Sequence, residues 1–418
     1  MRILHVITGL AAGGAEQQLR LMLRHLPQRQ HCDVVTLENP GSVADGLRED
    51  GVRVFDLGMQ GNRDLAALPR LSGLIRHGGY DVVHCHLYRA CVYGRIAARL
   101  AGVRTVIATE HSLLDHSIEG RRITPGVRGL YLATEKLGRS TVAVSDSVAG
   151  RLAGWGIPAN RVRLIPNGVD AARYSQPAPV RAATRQHLRD RLGLPQDAMV
   201  VGGLGRLVPG KRFDVLIDAL ALLPEAPEQG RAAWLLLVGD GTERAALEQR
   251  ARAAGVAHRV VFAGERDDVP DLLTTMDVLG APSTVETFGL ALLEGLAAGL
   301  PVRWSSGPAL TELPPEAAPG ACWTRSEPAD YAAELRALSR TRLSPLPQPP
   351  VVRHYDIVRL AGELATLYDE LAGGSLARPP AQRSRPDVRP AASAAAPVPA
   401  SAPVSAPLRV KDSRHARQ

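Results

Sequence analysis

Residues 3–26 read ILHVITGLAAGGAEQQLRLMLRHL, and residues 32–37 read CDVVTL. The first six residues form a short apolar run, which is typical of a buried strand. A glycine-rich turn follows, and the apolar residues after it recur at helical spacing. A strand, a helix and a second strand in this order predict a parallel sheet whose faces are covered by helices.

The same alternation runs through most of the chain, with one interruption. Residues 165–180, IPNGVDAARYSQPAPV, are rich in Pro, Gly and Asn and indicate a linker between domains. Further strands are predicted at residues 52–57, 80–87, 104–110, 139–145, 199–207, 233–240, 259–265 and 276–283. We therefore predict an α/β protein with two tandem Rossmann-like, doubly wound parallel-sheet domains and a cleft between them.

The predicted domain boundaries follow from this pattern. Residues 1–172 form the first domain and residues 173–350 the second. Residues 351–372 contain one more amphipathic helix, IVRLAGELATLYDELA. Residues 373–418 consist mainly of Pro, Ala, Ser and Arg, and they lack the apolar content that would offset the entropy of ordering them. We predict that this tail is disordered.

The charge of the chain is concentrated in that tail. Eight basic and two acidic residues lie in 373–418, so the tail holds +6 of the net charge of +8. Aromatic residues make up only 4% of the chain. A nearly neutral folded part with few aromatic side chains argues against a nucleic-acid-binding protein.

The cysteines and the N-terminus bear on localisation. The four cysteines show no CxxC spacing, which favours reduced thiols and hence the cytoplasm. The first residues superficially resemble a signal peptide, but His5 and Thr8 interrupt the apolar run, and a buried first strand explains it better. We predict a cytoplasmic protein that acts either in solution or at the inner face of the cell membrane.

The first glycine loop, GLAAGGAEQQ, joins a predicted strand to a predicted helix. Gly13 and Gly14 would let the backbone approach a ligand at a helix N-terminus, where free N–H groups favour an anion. Glu38 ends the second strand, where a dinucleotide fold holds ribose, but the loop is not GxGxxG. A phosphate contact and a simple tight turn both stay open here, as does an NAD-linked oxidoreductase.

The segment GRLVPGKR, residues 205–212, partly matches a P-loop. Gly205, Gly210 and Lys211 fit GxxxxGK[ST], but Arg212 stands where Ser or Thr would hold magnesium. One alternative is that Arg206 and Lys211 bind phosphate themselves, because a compact ammonium beside a glycine-rich strand end suits an anion. A solvated basic turn is the other alternative.

The segment STVETFGLALLEGLAAGLPV, residues 283–302, carries the strongest functional signal. Glu286 precedes a predicted helix whose first free N–H groups belong to Phe288, Gly289 and Leu290. Glu294 lies within an almost unbroken apolar helix. Because burying a carboxylate is costly unless it has a partner, Glu294 is predicted to reach a ligand hydroxyl.

Three histidines follow predicted strands. His84 and His86 lie two residues apart, on one face of a strand, and His111 ends another. The HxH pair fits half a metal site, but no third ligand is evident, so lining of a polar cleft is favoured. His111 is either a ligand contact or a hydrogen-bonded residue at a strand end.

Taken together, these motifs resemble family 4 of the retaining glycosyltransferases, which have the GT-B fold, in the type that builds bacterial exopolysaccharide and envelope glycans. The resemblance covers roughly residues 1–372. The motifs occur in family order: GLAAGGAEQQL, DVVHCHL, TEHS, VAVSDS, RLIPNGVD, GRLVPGKR, LLVGDGTERAALE and ETFGLALLEGLAAGLPV.

The resemblance implies roles for individual residues. Arg206 and Lys211 would hold the diphosphate of a nucleotide-sugar donor, and Glu294 would bind the ribose. Glu286 would lie beside the donor sugar, and the amides of Phe288, Gly289 and Leu290 would contact sugar and phosphate. Gly14 would also approach the diphosphate, and His111 would contact the sugar near the reacting carbon. The predicted catalytic residues are thus Glu286, His111, Arg206 and Lys211. The first domain would bind the acceptor, the second would bind the nucleotide-sugar, and the terminal helix would cross back onto the first domain.

The resemblance also implies a reaction without metal or other cofactor. Two cations and a helix N-terminus would stabilise the charge that develops on the departing diphosphate. Retention of configuration follows either from double displacement with Glu286 as nucleophile or from front-face transfer, in which a diphosphate oxygen takes the proton of the acceptor. Arg212 replaces the usual family glycine, and residues 303–320 depart from the Gly-rich family pattern, which leaves the donor sugar open.

The alternatives to a glycosyltransferase come from other classes of enzyme. A nucleotide-sugar epimerase shares the architecture and would turn over the donor without an acceptor. A P-loop NTPase would need magnesium, and Arg212 argues against it.

The predicted partners are a nucleotide-sugar donor, a glycan or lipid-linked acceptor and an anionic membrane surface. Residues 121–139 carry five basic residues and only Glu135 as an acid. Such a segment either contacts anionic lipid or forms a solvated helix face.

Overall fold

The computed structural model describes residues 1–61, 63–341 and 344–373. The strands in this part of the chain are β1 Arg2–Ile7, β2 His31–Thr36, β3 Arg53–Asp56, β4 Val82–His86, β5 Thr105–Glu110, β6 Ser117–Ile118, β7 Arg121–Arg122, β8 Ser140–Ala143, β9 Val162–Leu164, β10 Met199–Leu204, β11 Ala233–Val238, β12 Val260–Gly264, β13 Val278–Ala281, β14 Val302–Trp304 and β15 Ala321–Trp323. The α-helices are α1 Gly14–His25, α2 Gly41–Glu49, α3 Ala67–Gly78, α4 Tyr88–Leu100, α5 Pro125–Glu135, α6 Asp146–Gly154, α7 Ala178–Leu192, α8 Phe213–Ala221, α9 Arg244–Ala253, α10 Val269–Thr274, α11 Leu290–Ala297, α12 Pro308–Thr311, α13 Pro328–Ser339, α14 Pro350–His354 and α15 Ile357–Gly373.

Two parallel sheets form the centre of the fold. The first has the strand order β3-β2-β1-β4-β5-β8-β9 and the second β12-β11-β10-β13-β14-β15. Helices cover both faces of the first sheet: Leu4 and Val6 pack in one apolar cluster, and Ile3 packs in another with residues of α15. Burial on both faces explains why the strands are apolar throughout rather than alternating. The predicted fold class is confirmed.

The strand order reverses once in each sheet. In the first sheet the chain moves outward from β1 to β3 and then returns to β4 on the other side of β1. The second sheet reverses in the same way between β10 and β13. Open parallel sheets bind ligands at the carboxyl ends of the strands beside such a reversal. The loop after β1 and the loop after β10 are therefore the places to look for a site.

The chain crosses between the two sheets twice, and the two crossing segments lie side by side. The Val169 amide donates to the Tyr355 carbonyl and the Ile357 amide donates to the Val169 carbonyl, at 2.8 and 3.1 Å. A β-carbon on Gly168 would lie 2.8 Å from Cδ1 of Ile357, so only glycine lets the two segments approach so closely. Beyond this crossing, α15 packs against α1 of the first sheet.

Some elements differ from the sequence-based expectation. The short strands β9, β14 and β15 lie near or at sheet edges and were not predicted, because three residues carry no readable periodicity. Helix α7 begins at Ala178, within the predicted linker. The domain boundaries at residues 172 and 350 stay predictions. The predicted disordered tail lies outside the described residues, apart from Gly373.

Asp277 joins α7 to the second sheet through three guanidinium groups. Its carboxylate pairs with Arg185 and Arg189 at 2.9 Å and with Arg231 at 3.0 Å. It also accepts the Val200 amide at 2.8 Å. Burial raises the pKa of Asp277, but these partners outweigh burial and leave the pKa below its ordinary value.

We expect Asp277→Asn to destabilise the protein by about 3–5 kcal/mol, because it leaves three neighbouring cations without their anion. Urea unfolding followed by circular dichroism measures this loss. Asp218→Asn is the matched control, since Asp218 pairs with Arg250 on the surface, and it should cost only about 0–1 kcal/mol. Equal losses of unfolding free energy in the two variants would show that the Asp277 ion pairs stabilise the fold no more than a surface ion pair does.

Candidate functional site

The site lies where α1 and α11 begin. Gly14 is the first residue of α1, directly after the loop that follows β1. A β-carbon on Gly14 would lie 3.7 Å from Cδ1 of Leu290, the first residue of α11. The first turns of two helices, one from each half of the fold, therefore meet at van der Waals distance. Their free N–H groups and positive dipole ends favour an anion in this cleft.

Lys211 reaches the same region from the loop after β10. It ends a short 3₁₀ helix, Pro209–Lys211. Its side chain runs back over Gly205, so that a β-carbon on Gly205 would lie 3.5 Å from Cε of Lys211. Gly205 itself has φ +137°, a conformation that side chains rarely adopt. Gly205, one of the glycines that suggested a P-loop, thus gives Lys211 its path.

Lys211 and Glu286 form an ion pair. The Nζ atom lies 2.6 Å from Oε1 of Glu286, and the two side chains are 25% and 15% exposed. Seventy-five residues separate them in the chain, so the sequence did not predict this contact. A charge-assisted hydrogen bond of this length fixes both groups at the cleft. It also means that an anion binding to Lys211 has to compete with Glu286.

Glu294 has a protein partner that the sequence did not reveal. Tyr174, in a short 3₁₀ helix of residues Ala171–Tyr174, donates its hydroxyl to Oε1 of Glu294 at 3.1 Å. Burial raises the pKa of Glu294, while the Tyr174 hydroxyl and the charges of Arg173 and Lys211 act to lower it. Burial has the largest effect, so the pKa of Glu294 lies above its ordinary value.

Arg206 and Glu16 lie on opposite sides of the cleft. Arg206 follows β10 and is exposed, whereas Glu16 is in the first turn of α1 and its carboxyl group lies against Gly13. Burial raises the pKa of Glu16 to about 7, although the charge of Arg206 lowers it. Glu16 is a site residue that sequence analysis missed. Its position three residues after Gly13 was the available signal.

The helix after Glu286 begins later than predicted. Gly289 is the N-cap of α11, with φ +103°, and Leu290 is the first helical residue. Phe288 precedes the helix: its ring is buried against Tyr355, and its carbonyl accepts the Ala309 amide. Phe288 thus supplies none of the free N–H groups of the helix, contrary to the prediction. Leu290 does, at the point where α11 meets Gly14.

His111 belongs to a chain of buried imidazoles. Its Nε2 atom lies 3.1 Å from Nδ1 of His86, whose Nε2 lies 3.0 Å from Nδ1 of His5. His84 is bonded separately, to the Tyr368 hydroxyl at 2.6 Å and to Oγ1 of Thr109 at 2.7 Å. Burial lowers the pKa of His111 to about 4 and that of His5 to about 3. These imidazoles are therefore neutral near pH 7.

The structure adds a third histidine to the HxH pair that the sequence suggested as half of a metal site. Nitrogen atoms of His5, His84 and His86 lie within 4.8 Å of one another. The bonds just described already occupy both ring nitrogens of His84 and of His86. The geometry therefore favours a hydrogen-bonded cluster over a cation site, and the absence of a metal requirement stays a prediction.

The residues behind the dinucleotide alternative have other partners. Glu38, placed where such a fold holds ribose, forms an ion pair with Arg89 of α4. Arg212 is half-buried and donates from Nε to the Asp214 carboxylate at 3.1 and 3.2 Å. Neither arrangement supports the oxidoreductase or the NTPase.

Polar contacts across the cleft were also missed. Glu312, at the end of α12, accepts the amides of Asp146 and Ser147 at 3.1 and 2.9 Å. It thereby caps α6 of the first half of the fold from the second. Ser145 donates to the Thr287 carbonyl at 2.8 Å, beside Glu286.

Among the described residues, no helix is both long and apolar enough to cross a membrane.

Two family models match the chain, one in each half. The model for Glycosyltransferase Family 4 matches residues 12–173, and the model for Glycosyl transferases group 1 matches residues 184–346. The D-inositol 3-phosphate glycosyltransferase of Xylanimonas cellulosilytica is 30% identical over 72% of this chain and 73% of that protein. The UDP-Gal:alpha-D-GlcNAc-diphosphoundecaprenol alpha-1,3-galactosyltransferase of Escherichia coli is 26% identical over 72% of this chain and 78% of that protein.

A solved structure agrees with the fold. Anabaena Alr3699/HepE in complex with UDP and glucose has a TM-score of 0.75 and 24% identity, over 88% of this chain and all of that one. These matches do not favour the epimerase. With the GT-B fold, the two family models and the 30% identical relative in agreement, the chain belongs to glycosyltransferase family 4 and is a glycosyltransferase.

Proposed function

We propose that this glycosyltransferase moves a hexose from a UDP- or GDP-sugar to a glycan, lipid-linked or small-molecule acceptor with retention of configuration. The observation that carries the proposal is that Lys211, through its ion pair with Glu286, lies beside the first turn of α11, where that turn meets α1. Arg206, exposed after β10, is a second cation of the same loop. That arrangement suits a diphosphate, whose two phosphates need cations and N–H donors. The relatives named for UDP-linked and envelope-type substrates support polysaccharide or cell-envelope glycan synthesis as the setting.

Each residue has a chemical task in this proposal. Lys211 and Arg206 bind the diphosphate and stabilise the charge it gains when the bond to the sugar breaks. The N-terminus of α11 adds N–H groups aimed at the same oxygens. These groups supply the stabilisation that a divalent metal gives elsewhere, so we expect transfer without added metal or other cofactor.

Glu294 and Glu286 act on the two ends of the donor. Glu294 faces the ribose, and Tyr174 holds its carboxyl in position at 3.1 Å. Glu286 lies beside the sugar and leaves Lys211 when the diphosphate takes its place. Gly14 gives the diphosphate room at α1, and His111 contacts the sugar from the first domain. Retention follows from double displacement at Glu286 or from front-face transfer.

Donor binding is tested first by thermal shift. UDP or GDP in the presence of EDTA should raise the Tm, because a ligand bound only by the folded state stabilises it by mass action. Glu294→Ala should abolish the shift by removing the ribose contact. Glu248→Ala, on the surface of α9 and paired with Arg244, is the control and should keep the shift.

Other ligands separate the alternatives. ADP, NAD and ATP with magnesium belong in the same panel. Stabilisation by NAD or by ATP with magnesium alone would contradict the proposal. Turnover of the donor sugar with no acceptor would indicate the epimerase instead.

The adjacent cations Lys211 and Arg212 test leaving-group stabilisation. Lys211→Ala should lower kcat/KM by about 10²–10³-fold, because it removes a preorganised cation from the developing diphosphate charge. Arg212→Ala removes a cation that is bound to Asp214 and should change kcat/KM by less than about threefold. The measurement is the initial rate with the donor that the thermal-shift panel selects. Comparable losses in both variants would place the phosphate site elsewhere.

Attachment to a membrane from the cytoplasmic side is part of the proposal. The basic segment, residues 121–139, exposes four cations on and beside α5, namely Arg122, Arg128, Lys136 and Arg139. Glu135, the acid within this segment, is buried and paired with Arg161. The exposed charge of the segment is therefore positive, and Leu130 is 47% exposed as well. Such a surface suits anionic lipid headgroups.

Vesicle sedimentation measures this contact. The protein should bind vesicles with anionic lipid, and binding should weaken as salt is added. Arg139→Glu should weaken it about 30-fold, since each charge near such a surface contributes about 1 kcal/mol and the reversal changes the charge by two. Arg252→Glu on α9 makes the same charge change away from the basic segment and should bind as the wild type does. Binding that depends neither on salt nor on Arg139 would contradict membrane docking through this segment.

A further inference from the structure

The imidazole chain His5–His86–His111 leaves one nitrogen free at each end. The two N···N bonds, at 3.0 and 3.1 Å, use Nδ1 of His5, both nitrogens of His86 and Nε2 of His111. Nε2 of His5 and Nδ1 of His111 are buried and have no hydrogen-bond partner. The chain therefore starts in the core of the first domain and ends at the carboxyl end of β5.

Proton counting restricts this chain to two arrangements. Three neutral imidazoles carry three N–H protons, and each N···N bond uses one of them. The third proton lies either on Nε2 of His5 or on Nδ1 of His111. Because the bonds run head to tail, moving it from one end to the other reverses both bonds at once. The tautomer of His111 is therefore coupled to His5.

The two unpartnered nitrogens, Nε2 of His5 and Nδ1 of His111, differ in which hydrogen-bond partners can reach them. His5 is completely buried in the sheet, so no ligand reaches its Nε2 atom. His111 is 9% exposed and directly follows β5, at the edge of the sheet that carries the cleft. A buried N–H without an acceptor is rarer in proteins than an unpaired acceptor. Both free nitrogens are buried, but only the His111 end is partly exposed, so an N–H there is the one that water or a ligand oxygen can approach. The favoured arrangement thus leaves a lone pair on His5 and places the spare proton on Nδ1 of His111.

We propose that His86 and His5 are positioning residues that hold His111 as a neutral Nδ1–H donor toward an oxygen of the bound sugar. The bonds run from Nδ1 of His5 to Nε2 of His86, and from Nδ1 of His86 to Nε2 of His111. In this state His111 donates a hydrogen bond and cannot act as a base. The inference rests on the proposed function for its ligand, but the tautomer itself does not.

Neighbouring groups keep the chain neutral and in place. The ring of His84 lies 4.2 Å from that of His86 between centroids, and Tyr368 of α15 and Thr109 fix it. The charge of Asp33 raises the pKa of His5, but burial lowers it by more. The pKa of His111, lowered to about 4, means that the donor state persists until the pH falls well below 6.

The direct test is the ¹⁵N NMR spectrum of the full-length, ligand-free protein labelled at histidine, with His111→Gln used for assignment. We expect Nδ1 of His111 to be protonated and Nε2 to be unprotonated from pH 8 to pH 6. The opposite tautomer would overturn the proposal. So would a mixture of the two, because it would show that the chain does not select one. Hydrogen positions are thereby observed rather than assigned from geometry.

Two substitutions of His5 connect the tautomer to turnover. An ionised aspartate at this position can only accept, so His5→Asp should force His86 to donate toward it and reverse the chain. His111 then loses its Nδ1 proton, and kcat should fall on the order of 10–100-fold with little change in KM for the donor. His5→Leu removes the partner of His86 without imposing a direction, so it should leave a mixture of the two His111 tautomers and a smaller loss of kcat.

The outcomes separate the two hypotheses. Equal kcat in His5→Asp and His5→Leu, with the tautomer reversed only in His5→Asp, would refute the role in turnover. If His5→Asp does not fold, the wild-type spectrum still decides the tautomer. If no donor supports transfer, the proposed function fails while the NMR result stands on its own.

Discussion

The cleft holds several positive groups close together. Lys211, Arg206 and the first turns of α1 and α11 all converge where a diphosphate is proposed to bind, and without compensation they would repel one another. A carboxyl group provides that compensation for Lys211, because Glu286 is bound to it at 2.6 Å. Burial raises the pKa of Glu16, in the first turn of α1, to about 7, so Glu16 is only partly ionised near neutral pH. A diphosphate at Lys211 has to compete with Glu286, so its affinity is the difference between two sets of ionic contacts. This exchange keeps the cations preorganised at all times, which is what stabilisation of a leaving group requires.

The placement of Glu294 depends on the same balance. Helix α11 is apolar because it packs beneath the second sheet, where Leu292, Leu293 and Leu296 are buried. A carboxyl group on this helix is tolerated because Tyr174 donates to it and the charges of Arg173 and Lys211 favour its ionised form. Tyr174 comes from the segment that links the two sheets. The residue that orients the proposed ribose contact is therefore also tied to the connection between the domains.

The sequence predicts the parts of this molecule that depend on local pattern. Three segments carry the local pattern of a strand end or a helix start: the β1 loop with Gly14, the segment with Lys211, and the segment with Glu286 and Glu294. The structure brings them to one cleft. The contacts that pair them are not local. Lys211 and Glu286 are 75 residues apart, Tyr174 and Glu294 are 120, and His84 and Tyr368 are 284. No period or spacing in a single chain encodes such pairs. The late start of α11 was missed for a different reason: Gly289 adopts φ +103° as the N-cap, so the apolar Phe288 belongs to the core rather than to the helix.

The two halves of the fold are joined by contacts of unequal strength. Across the cleft they are hydrogen bonds, from Asp146 and Ser147 to Glu312 and from Ser145 to Thr287. Each such bond contributes only about 0.5–1.5 kcal/mol net, because water replaces it when the cleft opens. At the crossing, by contrast, Gly168 packs against Ile357, and α15 buries Leu360, Leu364 and Tyr368 against the first sheet. Exposing those side chains would cost roughly 1.5–3 kcal/mol each. Separating the two sheets at the cleft would therefore cost less than separating them at the crossing, where Val169 and Tyr355 are bonded.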